Sequence, residues 1–146
     1  MRLLLYALLS LLLLACSERQ PAETASSLEQ ARGQWVLVNY WAQWCKPCIE
    51  EIPELNHFNR ERSDVTVLGV NFEGATGPAL AEQEEKLGVA FATVADPSAE
   101  LGIARPVVLP TTLLVDPRGN YVDSLIGPQT AKSLAQAIDA AGESGG

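Results

Sequence analysis

The feature that most constrains this chain is a run of seven β-prone residues that leads directly into two closely spaced cysteines. The run WVLVNYW occupies residues 35–41, and the motif WCKPC follows at residues 44–48. A continuous apolar run of this length is typical of a strand buried on both faces. Pro47 suits the first turn of a helix, because proline there gives up only an amide that would have no partner. The cysteines therefore lie where a buried strand ends and a helix begins.

The rest of the chain alternates strands and helices and then closes with a hairpin and a helix. Strands are predicted at residues 35–41, 65–72, 91–95, 112–115 and 121–125, the last two joined by the turn 116–120. Helices are predicted at residues 47–62, 78–87 and 130–141, with short helical turns at 28–32 and 97–101. This order predicts an α/β sandwich.

The charge of the chain argues against nucleic acid as a partner. The formal net charge is −8, and Arg2 is the only charged residue before Cys16, so a chain that begins at Cys16 carries −9. Phosphate binding needs clustered Lys and Arg, whereas the 10 basic residues here are scattered singly.

The first fifteen residues have the layout of a secretory signal peptide. Arg2 supplies the positive start, residues 3–14 are mainly apolar and Ala15 is small. A membrane-spanning helix needs roughly 20 apolar residues, so this stretch is too short to span comfortably. We therefore predict that residues 1–15 direct export and that a single folded domain follows.

The junction LLAC at residues 13–16 resembles the bacterial lipobox, whose cysteine is lipidated and becomes the first mature residue. The alternative is an ordinary cleavage site followed by an incidental cysteine. With Cys16 as a lipid anchor, the polar residues 16–27 become a tether and residues 28–142 the domain. Ser17 is not the Asp that the sorting pattern associates with inner-membrane retention. In a Gram-negative cell, this favours the periplasmic face of the outer membrane.

The CxxC pair carries the chemistry that the sequence predicts. Disulfide exchange requires a thiolate, and the amino end of a helix favours the charged form of Cys45, with Lys46 adding a cation. We expect Cys45 to be the exposed nucleophile and Cys48, one turn further on, to resolve its mixed disulfides. Trp44 is expected to offer substrates an apolar landing surface.

Two other roles for a cysteine pair are a zinc site and a structural disulfide. A zinc site wants about four ligands, but beyond the pair only His57 and Cys16 are available. A purely structural disulfide is atypical at a strand-to-helix junction flanked by tryptophan and proline. We therefore predict no metal and no other cofactor, and we interpret His57 as a surface residue.

Three motifs, taken in order, resemble the thioredoxin superfamily. They are VNYWAQWCKPC at residues 38–48, EIPEL at residues 51–55 and LPTT at residues 109–112. The second motif is similar to the TlpA/ResA/DsbE branch, and the likeness extends over about residues 28–141. The resemblance implies an α/β thioredoxin fold, in which helices flank a central mixed β-sheet. The TlpA-type helix and strand are then inserted at residues 77–95.

The resemblance also assigns roles in substrate binding. It implies that Pro110 is cis and packs against the CxxC, although only about 5% of X-Pro bonds are cis. Its neighbours Leu109 and Thr111 would pair with the substrate chain. Residues 104–108 make the approach to this proline longer than usual, and we expect this departure to alter which substrates fit. Glu73, after the second strand, is interpreted as a loop carboxylate.

A carboxylate for proton transfer is predicted on the helix. Thioredoxin has a buried aspartate at the position of Asn39, which cannot accept a proton. In the TlpA/ResA branch Glu51 is implicated instead, and it shares a helix face with Cys48 at the i, i+3 spacing. If Glu51 is buried, desolvation raises its pKa and lets it exchange a proton with Cys48. The alternative is a solvated carboxylate like Glu50.

The resemblance implies an extracytoplasmic thiol:disulfide oxidoreductase that reduces protein disulfides. Its electrons would come from a membrane donor of the DsbD/CcdA type, and apocytochrome c thiols are one candidate substrate. A first alternative is a general periplasmic oxidant or isomerase. A second is a copper-handling thioredoxin-like protein, although that class typically needs a wider cysteine spacing and a distant histidine.

Overall fold

Five strands form one mixed sheet at the centre of the protein. The computed structural model describes residues 27–144. The strands are β1 (Trp35–Trp41), β2 (Val65–Asn71), β3 (Ala92–Thr93), β4 (Thr111–Val115) and β5 (Tyr121–Ile126). The helices are α1 (Ser27–Gln30), α2 (Lys46–Glu61), α3 (Gly77–Leu87) and α4 (Ala131–Ser144). The predicted signal peptide, Cys16 and nearly all of the tether lie outside the described residues.

The sheet has the strand order β3-β2-β1-β4-β5. β1 runs parallel to β2, and β2 runs parallel to β3, whereas β4 is antiparallel to both β1 and β5. Tyr40, near the end of β1, pairs with Val70 near the end of β2 and with Thr111 at the start of β4. The chain therefore leaves β1 toward the cysteines at the same edge of the sheet where it enters β4. The predicted mixed sheet is confirmed.

Strand β1 is buried on both faces, as its unbroken apolar pattern predicts. Leu37 and Trp41 join a hydrophobic cluster that includes residues of α2 and α4, while Val38 and Tyr40 belong to a second cluster on the opposite face. Side chains alternate between the faces of a strand, so Asn39 lies on the same face as Leu37 and Trp41. A polar residue is thus placed in the apolar layer between the sheet and α2.

Most predicted elements are present within a few residues of their expected bounds. The run predicted at residues 91–95 forms only a two-residue strand, because only Ala92 and Thr93 pair with β2. Helix α4 begins at Ala131, where the Thr130 hydroxyl accepts a hydrogen bond from the Ser133 amide at 3.2 Å. Within residues 27–144, no helix combines the length and the apolar character needed to cross a membrane.

Candidate active site

Cys45 and Cys48 form a disulfide at the amino end of α2. Their Cα atoms are 5.3 Å apart. Cys45 is the N-cap residue, and its Sγ accepts a hydrogen bond from the backbone N–H of Cys48 at 3.3 Å. Pro47 occupies the first turn, as predicted. A negative charge on Cys45 would therefore meet the unpaired amides and the positive dipole end of this helix.

The disulfide is almost completely covered. Cys45 is 4% exposed and Cys48 is 0% exposed. The expectation of an exposed Cys45 is therefore wrong for this disulfide form, although Cys45 is the more accessible of the two. Trp44, beside the pair, is 61% exposed.

The charge of Lys46 is directed toward solvent and partly compensated. Its Nζ lies 3.7 Å from Glu50 Oε1, and the two side chains are 86% and 62% exposed. Exposed pairs of this kind contribute little because water screens them. The helix terminus is therefore a better-placed source of positive potential at Cys45 than Lys46.

A buried carboxylate lies one turn beyond Cys48. Glu51 is 2% exposed. Its Oε1 accepts a hydrogen bond from Asn39 Nδ2 at 2.7 Å, and its Oε2 accepts one from the Gln129 backbone N–H at 2.7 Å. Asn39 Nδ2 also donates to Thr112 Oγ1 at 3.0 Å. The solvated alternative for Glu51 is therefore wrong, and Asn39, which cannot accept a proton, takes part in the site as a donor.

Burial dominates the ionisation of Glu51. It raises the pKa of this carboxyl above its ordinary 4.5, whereas the hydrogen bonds from Gln129 and Asn39 act in the opposite direction. A carboxyl with a raised pKa favours its protonated form in the folded state. Its contribution to stability is thus fully present below pH 4.5 and is lost as the pH rises through the raised pKa. Such a group is suited to proton exchange.

Two carboxylates of α2 hold the start of α4. Glu51 accepts from the Gln129 amide, and Glu54 Oε2 accepts from the Ala131 amide at 3.0 Å. Ala131 is the first residue of α4, whose first amides have no partner within the helix, and Gln129 lies two residues before it. Negative groups are favoured at such a helix start. The redox helix is therefore tied to α4 by contacts that span 78 and 77 residues of sequence.

The peptide bond between Leu109 and Pro110 is cis, as the resemblance implies. Pro110 is buried, and its carbonyl accepts a hydrogen bond from the Gly127 amide at 2.9 Å. Leu109 packs against the hydrophobic cluster that contains both cysteines. Thr111 is 3% exposed and its hydroxyl donates to the Val108 carbonyl at 2.8 Å, so this side chain holds the loop.

The weaker candidates from the sequence are exposed. His57 lies on the outer side of α2. Glu73 is also exposed, and its Oε2 is 3.5 Å from Gln43 Nε2, at the limit of a hydrogen bond. The prediction that His57 and Glu73 are surface residues is therefore confirmed.

A contact that the sequence analysis missed lies beside the disulfide. Arg105 stacks over the ring of Phe72 at 4.4 Å, and Phe72 meets Trp44 edge-on at 6.4 Å. Arg105 Nη2 also donates to the Phe72 carbonyl across 33 residues of sequence. No local pattern links residues so far apart. In the sequence, the unusual length of residues 104–108 was the one feature that pointed to this segment.

Sequence relatives of the chain belong to the family that the motifs resemble. The model of the AhpC/TSA family matches residues 16–123. Thioredoxin-like protein YneN of Bacillus subtilis is 35% identical over 123 residues, which cover 78% of this chain and 69% of YneN. Thiol-disulfide oxidoreductase ResA of Geobacillus thermodenitrificans is 31% identical over 115 residues, which cover 77% of this chain and 66% of ResA. The chain thus spans about two thirds of the length of these relatives.

A solved structure supports the same assignment. StoA from Bacillus subtilis matches with a TM-score of 0.57 at 26% identity, over 73% of this chain and 84% of StoA. The mixed sheet, the CxxC at the start of α2 and the cis-proline before β4 are the features that the motifs predicted. The chain therefore belongs to the AhpC/TSA family and, within the thioredoxin superfamily, to the TlpA/ResA/DsbE-like thiol:disulfide oxidoreductases.

Proposed function

We propose that this protein reduces protein disulfides outside the cytoplasm through the reversible Cys45–Cys48 pair. One observation carries the proposal: a CxxC disulfide is seated at the amino end of α2, at the edge of the sheet where the cis-proline loop enters β4. Helix amides at that position stabilise a thiolate. The proposed substrate contacts are Trp44, Leu109, Pro110 and Thr111.

The first step is attack by Cys45. In the reduced protein, the Cys45 thiolate attacks one sulfur of a substrate disulfide. A mixed disulfide forms, and the second substrate sulfur leaves as a thiolate that takes a proton from water. Trp44 supplies an exposed apolar surface beside this reaction. One S–S bond has replaced another, so the number of disulfide bonds is unchanged and reduction of the substrate is complete only after the second step.

The second step is resolution by Cys48. Its thiol loses a proton to the Glu51 carboxylate, and the resulting thiolate attacks the Cys45 sulfur. The Cys45–Cys48 disulfide forms and the remaining substrate sulfur leaves, so two electrons have passed from the protein to the substrate. Burial of Glu51 beside an otherwise apolar cluster supports its assignment as the proton acceptor.

The direction of the reaction is part of the proposal. A membrane donor of the DsbD/CcdA type would return the pair to its dithiol form, and apocytochrome c is one candidate among the substrates. The equilibrium of the pair with dithiothreitol tests this direction. We expect a potential closer to roughly −270 mV, as in thioredoxin, than to roughly −120 mV, as in the oxidant DsbA. A value near the latter would instead favour the general oxidant or isomerase.

The copper-handling alternative is tested with the same reduced protein. Titration with Cu(I) should show no tight stoichiometric binding, while insulin disulfides are reduced. Tight binding of one Cu(I) together with an absence of insulin reduction would replace the proposed enzyme with a metal-binding module.

We further propose that residues 1–15 direct export, that Cys16 carries the lipid and that residues 16–27 tether the domain at 28–142. Support comes from the charge and hydropathy pattern of the first fifteen residues and from the lipobox-like LLAC. In a Gram-negative host, Ser17 favours the outer membrane. In fractionated cells, the wild type should be found with membranes and Cys16→Ser in the soluble extracytoplasmic fraction. The same distribution for both proteins would contradict a lipid anchor at Cys16.

A further inference from the structure

Arg105 makes three contacts that converge on the active-site edge of the sheet. Its guanidinium lies 4.4 Å above the Phe72 ring, and Nη2 donates to the Phe72 carbonyl. Its Nε lies 2.8 Å from Asp96 Oδ2. A guanidinium that is stacked and paired in this way has few alternative conformations. The segment that carries Arg105 is thereby fixed at one point.

The acidic partner of Arg105 is itself held in place. Asp96 Oδ1 accepts a hydrogen bond from the Tyr40 hydroxyl at 2.7 Å and another from the Ser98 amide at 2.9 Å. Tyr40 belongs to the central strand and is 0% exposed. Asp96 would therefore keep two partners if Arg105 were replaced. The ion pair connects a surface loop to the sheet core.

The aromatic partner of Arg105 lies next to the reactive pair. Phe72 follows β2, and its amide donates to the Trp41 carbonyl at 2.8 Å. The Phe72 ring meets Trp44 edge-on, with an interplanar angle of 87°. Trp44 directly precedes Cys45. Arg105 thus acts through Phe72 on the indole that flanks the nucleophile.

The segment between Arg105 and Pro110 is anchored at both of its ends to the same edge of the sheet. Arg105 binds at the end of β2, and Thr111 pairs with Tyr40 at the end of β1. Between the two anchors, Val107 is 86% exposed and Val108 is 51% exposed. The unusual length of residues 104–108 therefore places two apolar side chains at the edge where the cysteines lie.

We propose that Arg105 is a positioning residue that fixes the segment before Pro110 and the Phe72–Trp44 pair around Cys45, and so sets the affinity for polypeptide disulfides. This inference rests on the proposed function. A polypeptide gains affinity when the surface beside the disulfide is already ordered, because less entropy is lost on binding. A small disulfide needs only the reactive sulfur. Replacing Arg105 should therefore weaken the binding of polypeptide disulfides and leave the reaction with small disulfides unchanged.

Two variants of Arg105 and one control test this role. Arg105→Met keeps an unbranched chain but loses the charge and all donors, whereas Arg105→Lys keeps the charge and loses the planar, forked geometry. Arg118→Met is the matched control. Arg118 is 77% exposed and pairs with Asp116 at 3.8 Å in the β4–β5 turn, away from the cysteines. Each variant is assayed with a disulfide-bonded peptide and with oxidised glutathione.

For Arg105→Met, we expect the KM for the peptide to rise about fivefold to tenfold. This is the size of effect expected when a cation stacked on an aromatic ring is lost. The kcat for the peptide and the rate with glutathione should be unchanged. Arg105→Lys should recover part of the KM, and Arg118→Met should behave as the wild type. Thermal unfolding of each variant reports whether the fold is retained.

Two results would overturn the assignment. One is an unchanged peptide KM in both Arg105 variants. The other is an equal loss of rate with peptide and glutathione, which would mark Arg105 as a purely structural residue. If the wild type reduced neither substrate, the proposed function itself would be wrong. That outcome is distinguishable, because it does not depend on residue 105.

Discussion

Cys48→Ala is expected to stop catalytic turnover while leaving one round of attack by Cys45 intact. Without the second thiol, the mixed disulfide on Cys45 has no internal partner and waits for an external thiol. The effective concentration in well-oriented intramolecular reactions reaches about 10⁵ M, far above a millimolar external thiol. We therefore expect turnover to fall at least about 10³-fold. The first substrate bond should still be cleaved.

The expected result is measured by comparing the first turnover with the steady state. Reduced Cys48→Ala should release one equivalent of substrate thiol and then stop, whereas the wild type continues while a reductant is present. Cys16→Ser is the matched control, because it removes the cysteine outside the CxxC pair and should turn over normally in a soluble assay. Normal turnover by Cys48→Ala would show that Cys48 is not the resolving residue.

Glu51→Gln is expected to slow disulfide exchange by about 10²-fold at neutral pH, within the range of general acid–base catalysis. Glutamine has nearly the same size but cannot accept a proton. In the wild type, burial raises the pKa of Glu51, so its carboxylate fraction increases as the pH rises through that raised value. The exchange rate should increase over the same pH range, and this increase should be missing in Glu51→Gln.

The pH dependence of the unfolding free energy provides an independent test of Glu51→Gln. Ionising a buried carboxyl with a raised pKa opposes folding, so the wild type should lose stability as the pH rises above 4.5 and through the raised pKa. The unfolding free energy of Glu51→Gln should lack this part of the pH dependence. Glu50→Gln, at an exposed neighbouring position, should change neither the rate profile nor the stability profile. A Glu51→Gln profile identical to the wild type would exclude Glu51 as the proton acceptor.

The position of this carboxylate explains why Asn39 matters without titrating. Asn39 Nδ2 binds both Glu51 and Thr112, and all three side chains are buried. A second carboxylate in place of this amide would put two negative charges within hydrogen-bond distance, where one must stay protonated. The amide instead donates to the carboxylate and fixes its orientation. In this proposal, Glu51 on the helix exchanges the proton, and Asn39 on the strand holds Glu51 in position.

The fold was predictable where the signal was local. The bounds of β1 match the predicted residues 35–41, because an unbroken β-prone run in the sheet centre needs no long-range information. The predicted strand at 91–95 was too long, since apolar character persists where only two residues pair with β2. Pairing depends on the neighbouring strand, which a local pattern does not describe.

The site was predictable in its reactive residues but not in their surroundings. The CxxC spacing identified Cys45 and Cys48, and the resemblance to the TlpA/ResA branch pointed to Glu51. The amide of Gln129 lies 78 residues from Glu51 in sequence, and no periodicity connects them. Asn39 carried a usable signal, because a polar residue in a buried strand needs a buried hydrogen-bond partner. The low exposure of Cys45 depends on packing that a helix-terminus argument leaves out, such as that of Leu109 against the cysteine cluster.

The most direct test of the account is the location of the trapped substrate in Cys48→Ala. Reduced Cys48→Ala is incubated with a disulfide-bonded peptide, and the adduct is mapped by mass spectrometry after digestion without reductant. We predict one peptide per chain, attached to Cys45 and released by dithiothreitol, and no stable adduct in Cys45→Ala. The absence of any adduct on Cys45, or a stable adduct on Cys48 in Cys45→Ala, would contradict a mechanism in which Cys45 attacks and Cys48 resolves.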